Sequence, residues 1–125
     1  MYFFKCKHCG KMVMLLDKPC CQTICCGEPM EELVPNTVDA AQEKHVPVVK
    51  EEDGFVTVQV GEVMHPMLDA HYIGFILVHT DQGYKIKHLK PGMVPEAKFA
   101  LLDNEVVFSA YEYCNLHGLW KKSIE

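Results

Sequence analysis

Seven cysteines and seven histidines in a chain of 125 residues constrain the fold more than any other feature, because thiols and imidazoles at this density need a common cause. Their placement is uneven. Six cysteines (Cys6, Cys9, Cys20, Cys21, Cys25, Cys26) fall in the first 26 residues, whereas six of the histidines (His45, His65, His71, His79, His88, His117) lie beyond residue 44. The opening Met1-Tyr2-Phe3-Phe4-Lys5-Cys6 lacks the basic-then-apolar layout of a signal peptide, and no apolar run approaches the roughly 20 residues that span a bilayer. A cytoplasmic protein without a membrane partner is expected. In that compartment metal ligation is a better use of clustered cysteines than a disulfide framework, so two metal sites of different chemistry are expected.

The length suits one ordinary domain or two very small ones sharing a core. Hydrophobic residues at 49% and charged residues at 23% describe a globular chain and exclude disorder as the dominant state. Twelve Lys and Arg against seventeen Asp and Glu leave a net charge of -5, which offers no footprint for nucleic-acid phosphates.

The first 35 or so residues read as a sulfur-rich module. Cys6-Lys7-His8-Cys9-Gly10 is a C-x-x-C turn, and Met12 to Leu16 is a short strand. So small a module buries too little apolar surface to fold alone, which couples its folding to metal binding. Asn36 to Gln42 reads as a capped helical turn or a tight linker, and Pro47 fixes an extended exit after Glu43-Lys44-His45-Val46. Beyond it the period becomes two, in Phe55–Val60, Tyr72–Val78, Tyr84–Leu89, Lys98–Leu102 and Val106–Tyr113. Gly54, Gly61, Gly83, Pro91-Gly92 and Asp103-Asn104 punctuate these runs as turns. Six or seven short strands at this spacing predict a β-sandwich or barrel.

Cys6-x2-Cys9 with a second cysteine pair downstream predicts a tetrahedral thiolate site for zinc or iron. Cys20-Cys21 and Cys25-Cys26 are both adjacent pairs, and spacing does not choose between them, since neighbours in extended backbone point to opposite faces. A purely structural zinc knuckle fits this half equally well. The second constellation is His45, His65, His71, Cys114 and His117. His65 and His71 flank a Pro-containing loop that leads into a strand, and Cys114 and His117 share a tight turn after another strand. Loops at strand ends are where rigid sheets present ligands. His8, His79 and His88 have no partner at ligand spacing and read as ordinary histidines. Four imidazoles and one thiolate exceed the four ligands of structural zinc and differ from the blue-copper set. Thiolate donation opposite a vacant position points to a redox metal, iron before copper.

The chain resembles the desulfoferrodoxins, the two-iron superoxide reductase family. The matching strings are Cys6-x2-Cys9, Cys25-Cys26-Gly27-Glu28-Pro29-Met30, Asn36-Thr37-Val38-Asp39-Ala40-Ala41, Glu43-Lys44-His45-Val46-Pro47, His65-Pro66-Met67 through His71-Tyr72-Ile73, and Cys114-Asn115-x-His117-Gly118-x-Trp120. The resemblance implies a mainly β protein with a desulforedoxin-like domain over residues 1–36, then an immunoglobulin-like sandwich over residues 37–125 that carries the catalytic centre. It implies two irons per chain. One is an Fe(Cys)4 centre on Cys6, Cys9, Cys25 and Cys26. The other is an Fe(His)4(Cys) centre with His45, His65, His71 and His117 equatorial and Cys114 axial. It further implies that Glu43 takes the sixth position on ferric iron, that Lys44 assists superoxide, that the protein is a homodimer, and that rubredoxin is the donor. Cys20 and Cys21 are extra to the family pattern. The rival reading is a non-catalytic iron-binding electron carrier, which needs neither an open position nor a cation beside it.

Overall fold

A computed structural model describes residues 1–124. The chain divides into two compact units, Met1–Val34 and the residues from Pro35 onward.

In the first unit, strands β1 (Tyr2–Lys5), β2 (Met12–Leu15), β3 (Ile24–Cys25), β4 (Glu28–Pro29) and β5 (Glu31–Leu33) are all short. An antiparallel sheet of order β2-β1-β5 accompanies a two-stranded β3-β4 hairpin. Phe3, Cys6 and Met30 are its buried residues among those described. A core of that size cannot offset the conformational entropy of ordering the unit without a further cross-link.

The second unit begins with a single helical turn, α1 (Gln42–His45). It continues through strands β6 (Pro47–Glu52), β7 (Phe55–Val60), β8 (Ile73–Thr80), β9 (Gly83–His88), β10 (Glu96–Ala100), β11 (Val107–Cys114) and β12 (Gly118–Ser123). Two antiparallel sheets result, of order β10-β7-β6 and β12-β11-β8-β9. Inward residues of both sheets, among them Val56, Val58 and Val60 from β7, Ile76 and Val78 from β8, Ala97 from β10 and Ala110 from β11, share one core. Face-to-face packing of alternating strands is the sandwich that the period of two predicts. The β6-β7 hairpin turns on Asp53 and Gly54, both at positive φ (53° and 79°), with Glu52 opposite Phe55. That is the two-residue turn whose twist matches its strands.

Three elements differ from the sequence expectation. The helical turn lies at Gln42–His45, and its N-cap Ala41 makes no side-chain cap bond. Asn36, at the start of the segment expected to form a capped turn or a tight linker, holds β12, its Nδ2 donating to Lys121 O (3.0 Å) and its Oδ1 accepting from Lys121 N (2.9 Å). Strands β6 and β12 were not expected, and each lies at a sheet edge.

Gly61 fixes where α1 rests. A Cβ at this position would stand 2.6 Å from Glu43 O and 2.8 Å from Lys44 C, both backbone atoms that cannot swing away. Gly61→Ala is expected to cost about 1–3 kcal/mol, the usual range for overpacking. It should also loosen the turn that carries His45. Thermal unfolding with and without metal tests this, the larger loss being expected in the metal-bound form.

Candidate metal centres

In the first unit, the ligand atoms of Cys6, Cys9, Cys25 and Cys26 lie within 4.8 Å of one another. Two turns bring them together. Gly10, at φ 78°, donates its N–H to Cys6 O (2.9 Å), which closes the C-x-x-C turn. Cys9 N–H then points at Cys6 Sγ (3.5 Å). Cys26 sits at φ 52° and is followed by Gly27 at 76°, so the backbone leaves the extended conformation between the neighbouring cysteines. This is how an adjacent pair serves one centre, and Cys9 Sγ approaches Cys25 Sγ at 3.7 Å. Cys21 has no such positive φ, and neither it nor Cys20 joins the group.

Cys6 and Cys26 differ in their readiness to ionise. Backbone N–H donation, first from Cys9, draws Cys6 down to about 6, whereas Cys26 is pushed up to about 12 by the sulfurs of Cys9, Cys6 and Cys25. Four sulfurs so close cannot all carry charge unaided, and a cation among them removes the conflict.

In the second unit, His45 comes from α1, His65 from the loop after β7, His71 from the approach to β8, Cys114 from the end of β11 and His117 from the turn into β12. All five side chains converge at one end of the sandwich. Neighbouring ring centroids are 4.8 Å apart for His45 and His65, 4.6 Å for His65 and His71, 5.1 Å for His71 and His117, and 4.8 Å for His117 and His45. The His45–His71 separation is 6.5 Å, the diagonal of a near-square. Cys114 Sγ lies within 4.8 Å of the ligand atoms of His45, His65 and His71, and 3.9 Å from His117 Nδ1. It is therefore close to every corner, and it is fully buried.

The hydrogen bonds fix which nitrogen each ring presents. His45 Nδ1 bonds Ala41 O and His65 Nδ1 bonds Pro66 O, both at 2.7 Å. A carbonyl only accepts, so Nδ1 carries the proton in both rings and each Nε2 turns a lone pair inward. These two Nε2 atoms are 3.2 Å apart, and His117 Nδ1 is 3.1 Å from His45 Nε2. His71 Nε2 is buried with no hydrogen-bond partner among the described residues. Facing lone pairs and an orphaned buried nitrogen are what a cation at the centre would satisfy, so the residues fit a metal.

Burial, ahead of neighbouring charges, lowers His45, His65 and His71, His65 to about 4. The rings are held neutral, which is the ligating form. Burial raises the Cys114 thiol, against the pull of the Leu116 and His117 backbone N–H groups that point toward its sulfur. Binding a metal at Cys114 therefore releases a proton.

The supporting residues were not legible as such. Trp120 stacks on His45 (5.0 Å, 26°) and its Nε1–H donates to His117 O (3.1 Å), so one buried side chain steadies two ligands. Asn115 ties the Cys114 turn to the His71 loop, Oδ1 accepting from Tyr72 N (2.8 Å) and Nδ2 donating to Ala70 O (3.0 Å). Paired backbone bonds between Leu68 and His71 close that loop. Glu112, two residues before Cys114, is fully buried with both carboxylate oxygens unpartnered among the described residues, and burial pushes it up to about 9. Glu43 and Lys44 are exposed on α1 beside the buried His45, and the Lys44 charge is felt at both His45 and His71. His79 stacks on Tyr84 (4.8 Å) and His8 pairs with Glu28 (3.1 Å), and neither is in a metal group. His88, on β9, is likewise outside both groups.

Because His65 stands near 4 when folded and near 6.5 when unfolded, the unfolded chain takes up protons first as pH falls. Stability of the metal-free second unit is thus whole above about 6.5 and is lost as pH falls toward 4. Trp120 is the sole tryptophan. Its fluorescence melting curves on metal-free protein between these limits are expected to shift steadily downward, and a flat profile would contradict the buried neutral rings.

A mainly β chain with a four-sulfur group in one unit and a four-imidazole, one-thiolate group in a seven-stranded sandwich defines a two-centre metalloprotein class. Residues 37–123 match the family model described as Desulfoferrodoxin. The chain is 46% identical over 118 residues to the desulfoferrodoxin of Desulfarculus baarsii, covering 94% of this chain and 92% of that one. It is 48% identical over 119 residues to that of Nitratidesulfovibrio vulgaris, covering 94% and 92%. Its fold is similar to the crystal structure of the superoxide reductase from Treponema pallidum, with a TM-score of 0.82, 39% identity and 97% of each chain covered. The chain belongs to the desulfoferrodoxin family.

Proposed function

We propose that the protein is a superoxide reductase that binds two irons, one at each group, and reduces superoxide to hydrogen peroxide. The observation that carries this reading is the closure of four imidazoles on one buried thiol, next to an exposed lysine. Relatives named superoxide reductase, including that of Treponema pallidum, support it. The reaction takes one superoxide, one electron and two protons to one hydrogen peroxide.

Iron at the second group supplies the electron and a place for a small anion. The chain's own residues do the rest. His45, His65, His71, His117 and the buried Cys114 are the residues that would hold that iron. Ala41 O and Pro66 O lock the rings of His45 and His65, so that each turns its Nε2 lone pair toward the centre. Lys44 attracts the anion and, with water, brings protons. Glu43, exposed beside His45, would be the carboxylate available to a metal held there. Cys6, Cys9, Cys25 and Cys26 would hold the other iron with four thiolates, a donor set suited to passing electrons. Residues 1–36 are on this reading the desulforedoxin-like domain and residues 37–125 the catalytic one, in a cytoplasmic homodimer that draws electrons from reduced rubredoxin.

The test is the yield of hydrogen peroxide per superoxide consumed, with a reductant present. Reduction gives one. A yield of one half would mean dismutation, and no superoxide consumption would leave a non-catalytic electron carrier, the second reading.

A further inference from the structure

We propose that Cys20 and Cys21 are a modification site distinct from both metal groups: a dithiol that hydrogen peroxide oxidises to a reversible disulfide between chain neighbours. The two Sγ atoms are 3.9 Å apart and in hydrogen-bond contact. Both residues are exposed, on the segment between β2 and β3. Neither belongs to the Cys6, Cys9, Cys25, Cys26 group. Their segment packs loosely, since it opens at Leu16, 78% exposed.

The chemistry balances within the pair and its oxidant. One thiol gives up its proton and its sulfur attacks a peroxide oxygen; the O–O bond breaks, the leaving hydroxide takes up that proton as water, and a sulfenic acid remains. The second sulfur then attacks the first, the S–S bond forms, the S–O bond breaks, and a second water leaves with the remaining thiol proton. Two thiols have lost two electrons and peroxide has gained them. Neighbouring Cα atoms are about 3.8 Å apart across a trans peptide, short of the usual disulfide span of about 4.4–6.8 Å. A bond closed here is strained, and small-molecule dithiols reduce it readily, which makes it a switch and not a staple. The proposed activity releases hydrogen peroxide, which is the oxidant this step requires. The inference rests on the proposed activity for that origin alone, and added peroxide tests it independently.

The experiment uses the full-length, iron-loaded protein, reduced and then exposed to added hydrogen peroxide. Thiols are alkylated before and after, and tandem mass spectrometry reads each cysteine. Labels on Cys20 and Cys21 are expected to disappear together, with a mass loss of two hydrogens across the pair, and to return with dithiothreitol. In Cys21→Ser, Cys20 is expected to stop at a sulfenic acid that dimedone traps. Full labelling of both thiols after peroxide would overturn the proposal, as would a disulfide from either to Cys25 or Cys26, or oxidation straight to sulfinic acid. The variant with both Cys20→Ser and Cys21→Ser is expected to keep two irons per chain and the parent rate with superoxide. Loss of the first iron in that variant would overturn the separation from the metal group.

Discussion

Cys114→Ser is expected to abolish the long-wavelength sulfur-to-iron absorption of the oxidised second centre and to cut the rate with superoxide by more than about a hundredfold. Outer partners of metal ligands already cost about 10–100-fold when removed, and Cys114 is placed as a ligand itself. The effect is chemical. Serine matches the shape of cysteine at a site with no solvent exposure, so the core formed by β7, β8 and β11 is expected to survive. What serine cannot do is give up its proton. The Cys114 thiol is raised by burial, yet backbone N–H groups of Leu116 and His117 point at its sulfur and stabilise the thiolate once a cation displaces the proton. A serine hydroxyl in that cradle stays neutral, and donation of electron density along that axis is lost. Absorption, iron content at each centre and far-ultraviolet circular dichroism, measured together, check this. An unchanged spectrum and rate would remove Cys114 from the centre, and absorption of the four-sulfur centre is expected to persist as the internal control.

The ligands were legible because they lie in loops with short local spacing. His65 and His71 bracket one loop, Cys114 and His117 one turn, and His45 follows Glu43-Lys44 at a proline-stopped turn. Their grouping into one set is legible in the pattern, but the geometry of that convergence is not, because it depends on antiparallel pairing of β8 with β11 and β11 with β12. The central strands β7, β8 and β11 show the apolar runs that burial demands. Edge strands β6, Pro-Val-Val-Lys-Glu-Glu, and β12, Gly-Leu-Trp-Lys-Lys-Ser, carry three and two charged residues of six, as sheet edges tend to, and so do not read as strands. The Cys25-Cys26 pair stayed ambiguous for a backbone reason. Positive φ at Cys26 is a conformation that a non-glycine residue rarely adopts, and nothing in residue identity announces it. Trp120, Asn115 and Gly61 act through contacts with distant segments, and Glu112 looks like any polar residue of an alternating strand until its burial is known.

Lys44→Ala is expected to lower the second-order rate constant for superoxide by about tenfold and to weaken its dependence on ionic strength. The chain carries a net charge of -5, so its far field repels an anion. Rapid capture therefore needs a positive potential confined to the mouth of the centre. Lys44 is the cation that α1 places there. Its neighbour His45 is buried and points inward while Lys44 itself is exposed, and its charge reaches both His45 and His71. An exposed charge acts over roughly a Debye length, about 8 Å at physiological salt, so added salt should erode the parent's advantage and leave the variant's rate much less altered. Stability should barely move, because an exposed lysine on a single helical turn contributes little to folding. Iron content and absorption are likewise expected to match the parent, since Lys44 ligates nothing. Pulse radiolysis at several salt concentrations decides the matter. Equal rates and equal salt slopes in the two proteins would make Lys44 incidental, while an equal fractional loss at every salt concentration would assign it to proton delivery and not to capture.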